Sequence, residues 1–162
     1  MITPEGILSR PLAALAGMIA DSPAFQAWVG AADAAQAQGA IHLLQSAREP
    51  ALPLCLIDYG DGFERERVGI TVGRPFEQRG QLIAYFRDAV SAGVGEAEAI
   101  YTFCNQLGAV WADLERMVIT GDRVLITAIA LIAAPARIEA ERRPHAGDLF
   151  EAALGITWRA MG

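Results

Sequence analysis

The segment Phe150-Glu151-Ala152-Ala153-Leu154-Gly155-Ile156-Thr157-Trp158 places a bulky or apolar residue at every second position. Successive side chains of a strand point to opposite faces. Phe150, Ala152, Leu154, Ile156 and Trp158 therefore share one face, and Glu151, Ala153, Gly155, Thr157 and Arg159 share the other. The first face reads as core. The second can take solvent or a partner.

Working outward, residues 137–147 carry Glu139, Glu141, Arg142, Arg143, Pro144 and His145 and read as an exposed loop. Before it, residues 124–134 are branched residues and alanines, the pattern of a buried strand that Pro135 limits. Upstream lies the clearest helix, 95–117. Ile100, Phe103, Cys104, Leu107, Val110, Trp111, Leu114 and Met117 recur there at three and four residues, with Glu96 and Glu98 at its positive end. Leu82, Ile83, Tyr85 and Phe86 fit either a helix face or a strand covered on both sides; the neighbouring strands favour a strand over 81–90.

Leu52, Leu54, Leu56 and Ile57, between Pro50 and Gly60, predict another strand. Tyr59-Gly60-Asp61-Gly62 is a turn signal, and the alternation from Phe63 to Val72 predicts the second strand of a hairpin, closed by Gly73-Arg74-Pro75. Residues 1–48 read as helical. Ser9 is a cap candidate with Pro11 in the first turn, Asp21-Ser22-Pro23 separates two helices, and Asp33 is placed to cap a third that runs through Ile41, Leu43 and Leu44. The Ala-rich 31–40 lacks bulk and is expected near the surface.

Helices, then three strands, one long helix and two strands predict an α+β fold. Its mostly antiparallel sheet is packed by a long amphipathic helix, with a helical N-terminal region. The 162 residues fit one domain, with 1–48 as the helical region and 50–160 as the sheet-and-helix core. A chain of this length buries about 70% of its unfolded surface, enough for a core without staples.

Hydrophobic residues at 53% and charged residues at 20% exclude a disordered chain. All 13 positive residues are Arg against 19 acids, and the net charge of −6 argues against an autonomous nucleic-acid binder. The longest apolar stretch, 124–136, is interrupted by Thr127 and Pro135 and is too short for a membrane span. The start of the sequence has no basic region before an apolar run, so no secretory signal is expected and synthesis in the cytoplasm is.

Catalytic equipment is sparse. Cys55 and Cys104 stand in apolar stretches and are expected to be buried thiols. His42, between apolar neighbours, and His145, beside Arg142 and Arg143, belong to different segments. Gly93-Val94-Gly95 lacks the remainder of a dinucleotide or P-loop pattern, and a chain without Lys has no Walker motif. Asp58, Asp61, Glu64 and Glu66 lack calcium-loop spacing. No catalytic residue, cofactor or metal site is expected. The charged group around the Gly60-Asp61-Gly62 turn reads either as a solvated hairpin tip or, more sharply, as an arm that meets a neighbouring subunit. In the second case the candidate contacts are Glu64, Arg65, Glu66 and Arg67, with Arg142 and Arg143 as the complementary charge.

The order of elements over 50–160 resembles the tail-terminator (tail-completion) proteins of long-tailed bacteriophages, of the lambda type. The matching pieces are Leu52-Pro53-Leu54-Cys55-Leu56-Ile57-Asp58-Tyr59, Arg79-Gly80-Gln81-Leu82-Ile83-Ala84-Tyr85-Phe86, the helix from Ile100 to Met117, and the charged loop and final strand from Arg142 to Trp158. The helical N-terminal region is longer than in the lambda type.

The resemblance implies a structural virion protein without catalysis. Such proteins act as rings, commonly homo-hexameric, that stop the tail tube from growing and join the tail to the head–neck connector. The implied partners are the tail tube protein and a head-completion or neck protein. DNA would pass through the lumen without specific binding, which an acidic ring suits. The implied location is the tail–neck region of the virion, after synthesis in the host cytoplasm. The competing expectations are another head–tail connector or neck component and a small ligand-binding or enzymatic α+β domain.

Overall fold

A computed structural model describes residues 6, 8–43, 51–60, 64–67, 76–90, 93–120, 125–138 and 148–161. In chain order the elements are α1 (Ser9–Asp21), α2 (Pro23–Val29), α3 (Ala34–Ala37), a 3-10 turn (Gln38–Ala40), β1 (Ile41–Leu43), β2 (Leu54–Tyr59), β3 (Glu64–Arg67), β4 (Phe76–Ala89), α4 (Glu96–Thr120), β5 (Ile126–Ile138) and β6 (Leu149–Met161). The strands form one sheet in the order β1-β2-β4-β6-β5, with β3 paired to β4. Only the β1–β2 pairing among these is parallel. The fold is α+β, with a mostly antiparallel sheet and one long helix, as the order of elements predicts.

Register assigns the two faces of the sheet. One face carries the rows Cys55–Phe86–Ala152, Ile57–Ala84–Leu154 and Leu82–Ile156, with Gly80 beside Trp158. Those side chains are in the main core with Phe103, Leu107, Val110 and Leu114 of α4, Leu15, Met18 and Ile19 of α1, and Phe25 and Trp28 of α2. Spacings of three and four residues keep the four α4 positions on one stripe, facing the sheet. Burial of each large side chain is worth about 1.5–3 kcal/mol. The alternation read from Phe150 to Trp158 is therefore the core pattern of β6.

The opposite face has its own apolar centre. Leu54, Leu56, Leu149 and Ala153 are buried yet lie outside the main core cluster. Register puts Leu56, Tyr85 and Ala153 in one row there, and Arg87 beside Glu151 in the next. The Arg87 Nε–H donates to Glu151 across the two central strands, the direct cross-strand position where opposite charges attract.

Five sequence expectations change. Helix α1 begins at Ser9 with Leu8 as its cap residue, and the Ser9 hydroxyl donates to the Gly6 carbonyl. Pro11 does fall in the first turn, where its missing N–H has no intrahelical partner to lose. Asp33 caps α3 through the Gln36 N–H, but that helix ends at Ala37. Ile41, His42 and Leu43 instead pair with Cys55, Leu56 and Ile57, which carries Ile41 into the main core.

The turn signal at Tyr59-Gly60 does not reverse the chain. Strand β6 lines one edge of β4 from Glu77 to Ala89, so β2 and β3 share the other edge. Both run antiparallel to β4 and therefore in the same direction. The Gly60 N–H still donates to the Gln81 carbonyl at 2.9 Å, keeping the chain on that edge. A Cβ on Gly60 would stand 3.0 Å from the Gln81 Cβ, so glycine suits this close passage. The reversal falls between Arg67 and Phe76, where residues 68–75 lie outside the described set.

Strand β5 is an edge strand and mostly exposed, where its composition predicted burial. It also continues through Pro135 to Ile138. An edge position tolerates proline because one side of the strand has no ladder to feed. The register shifts between Leu131 and Ala133 and between Ala133 and Ala136 accommodate it. Finally, Cys104 is exposed whereas Cys55 is buried. Phe103 and Leu107 hold the buried stripe of α4, and the next position around the helix turns outward.

Candidate assembly surfaces

Strand β3 places Glu64, Arg65, Glu66 and Arg67 opposite Arg79, Gln78, Glu77 and Phe76 of β4. Among the described residues it pairs with β4 alone, so this charged segment forms part of the sheet rim. It flanks the beginning of β4 and hence the end of β6, where Glu77 pairs with Met161.

The described residues on either side of the other charged segment lie toward the opposite end of the same sheet. Ile138 pairs with Leu149, and Leu149 pairs with Ala89 at the end of β4. Arg142 and Arg143 lie outside the described residues, as does His145. From Arg79, beside Glu64, to Ala89 the strand travels about 33 Å.

Near that second end, Arg137 joins three elements. Its Nε–H donates to Asp148 Oδ2 at 2.9 Å, and its Nη1 reaches Glu96 Oε1 at 3.3 Å. The hydrogen bonds and charge of Asp148, and to a lesser degree those of Glu96, push the guanidinium further toward its charged form. The cluster ties the first turn of α4 to β5 and to the start of β6. Its spacing of 41 residues between Arg137 and Glu96 left no local signal in the sequence.

The β5 edge is a second surface that composition concealed. Leu131 is 39% exposed and Ile132 54% exposed, and Ala128, Ala130, Ala133, Ala134 and Ala136 are exposed beside them. Pro135 was the available clue, since proline inside an apolar strand pattern marks an edge. Three register shifts interrupt the pairing with β6, and such bulges are one means by which edges resist indiscriminate strand addition.

His42 is half-buried on β1 and lines a cavity of about 360 Å³ with Gly30, Gln36, Leu52 and Pro53 among others. Its register partner is Leu56, while Cys55 partners Ile41 on the core face. His42 and Cys55 thus face opposite sides of the sheet, and burial pushes the Cys55 thiol far up, toward its protonated form. That arrangement does not make a thiolate nucleophile with a histidine base. Among the described residues, no three His, Cys, Asp or Glu side chains are grouped to hold a metal ion. No helix among them is long and apolar enough to cross a membrane. A separate apolar cavity of about 280 Å³ lies between Leu8, Tyr59, Gly60, Gly80, Gln81 and Trp158.

No protein-family model matches the chain, and no curated protein matches it. Among solved structures, a chain described as belonging to the "Virion of native gene transfer agent (GTA) particle" aligns with it at a TM-score of 0.47 and 14% identity, covering 93% of each chain.

Proposed function

We propose that this protein is a structural component of a virion. Its copies would assemble head to tail into a ring that ends a tail tube and joins the tail to the head–neck connector. The α+β fold agrees with the one that the tail-terminator resemblance implies. The observation that supports the assembly reading is that Glu64–Arg67 on β3 and the pair Ile138 and Leu149, between which Arg142 and Arg143 fall in the chain, lie toward opposite ends of one sheet. From Ile138, a fully extended chain travels about 14 Å to Arg142 and about 18 Å to Arg143. Glu64–Arg67 begins about 33 Å away along β4. In this reading a neighbouring copy supplies the match. A contact between different patches of identical subunits is heterologous, the type that closes rings.

In this reading the protein is not an enzyme. It meets the tube protein on one side of the ring and a neck protein on the other, and DNA crosses the acidic lumen unbound. The subunit contacts are Glu64, Arg65, Glu66 and Arg67 against Arg142 and Arg143 of the next copy. Light scattering on the purified protein tests this. The wild type is expected at a multiple of 17.3 kDa, commonly six-fold, and Arg142→Glu with Arg143→Glu is expected to lower that mass. Unchanged assembly in the double variant overturns the contact, and a monomeric wild type overturns the ring. A reconstruction of the particle separates a terminator, which touches the tube protein, from another connector.

One observation favours a different reading, a small ligand-binding domain: the cavity that His42 and Gln36 line. A stable monomer whose melting temperature rises with a small molecule, and loses that rise in His42→Ala, would support it.

A further inference from the structure

We draw no further inference here: the strongest candidate, the apolar surface patch on edge strand β5 around the exposed Leu131 and Ile132, carries nothing because nothing in the structure shows what covers it.

Discussion

The Ser22 hydroxyl donates to Asp113 Oδ2 at 2.8 Å, fastening the start of α2 to the middle of α4. The same carboxylate oxygen accepts the Ala24 N–H at 3.1 Å, and Arg116 donates to the other. Ser22 is fully buried and also accepts the Phe25 N–H, so one side chain caps α2 and binds α4. Loss of the clasp leaves buried donors unmatched, at a cost of about 1–3 kcal/mol. Ser22→Ala and Asp113→Ala should each lower the urea midpoint accordingly. Their double mutant should cost less than the sum, because the two act on one hydrogen bond.

Asp113 also gives the clasp a pH dependence. Partial burial pushes its carboxyl up, but the hydrogen bonds from Ala24, Ser22 and Arg116, with the charge of Arg116, outweigh this and hold it below the usual range. A folded value below the unfolded one means stability that is present above the unfolded value and lost as pH falls through the folded one. The stability gap between wild type and Asp113→Asn should be widest near about pH 7 and should narrow as pH falls below the unfolded carboxylate value of about 4. A gap that stays constant over that range would show that the carboxylate charge contributes nothing.

Trp28 joins α2 to β4 by two means. Its indole N–H donates to Asp88 Oδ2 at 2.8 Å, and its ring stacks on Phe86 at 6.0 Å while meeting Phe103 edge-on at 5.3 Å. Trp28→Ala should destabilise by about 3–5 kcal/mol. Trp28→Phe retains much of the ring contact and loses the hydrogen bond, so about 1–2 kcal/mol is expected. Chemical denaturation followed by circular dichroism measures both.

Three glycines separate crowding from freedom. A Cβ on Gly80 would stand 2.7–2.8 Å from the indole of Trp158, a ring that is 1% exposed and has nowhere to go. Gly80→Ala should therefore destabilise by about 1–3 kcal/mol. On Gly155 the clash is with the Cγ2 methyl of Ile132 at 2.6 Å, which a χ1 rotation of this 54% exposed side chain can move, so Gly155→Ala should destabilise but less than Gly80→Ala. Gly108 lies on the exposed side of α4 with nothing within 4 Å of a new Cβ, and Gly108→Ala should stabilise by about 0.5–1 kcal/mol. Melting temperatures that fail to rank in this order would contradict the packing described for β4 and β6.

Leu131 and Ile132 contribute exposed apolar surface at an edge. Ile132→Lys should change unfolding stability by less than about 1 kcal/mol. It should reduce concentration-dependent light scattering if that surface drives self-association. A large loss of stability instead would mean that Ile132 holds the β5–β6 pairing in place.

The parts of the fold that rest on one element's own periodicity were legible. The stripe of Phe103, Leu107, Val110 and Leu114 and the alternation of Phe150 through Trp158 each state which side is buried. What failed depends on partners far away in sequence. The residues of β5 have the same branched and small character as a central strand, and only its place outside β6 leaves it uncovered. His42 and its neighbours continue an Ala-rich helical pattern, but pairing with β2 overrides that local preference. Likewise, two glycines after Tyr59 suggest a reversal, whereas β4 is long enough to seat two successive strands on one edge. The charged candidates were visible from composition. The place of Glu64–Arg67 on the sheet rim was not, since it follows from β3 lying beside Arg79 rather than beside β2.

The central position of β6 bears on how the molecule comes to be folded. Strand β4 meets β6 only after α4 and β5 have intervened in the chain, so the middle seam of the sheet is among its most distant pairings. Closing it is slow compared with forming α4, and a nascent polypeptide paused before Leu149 holds β4 with one flank bare. Folding of the sheet should thus be a late, abrupt event, with protease resistance gained across the whole sheet once β6 pairs.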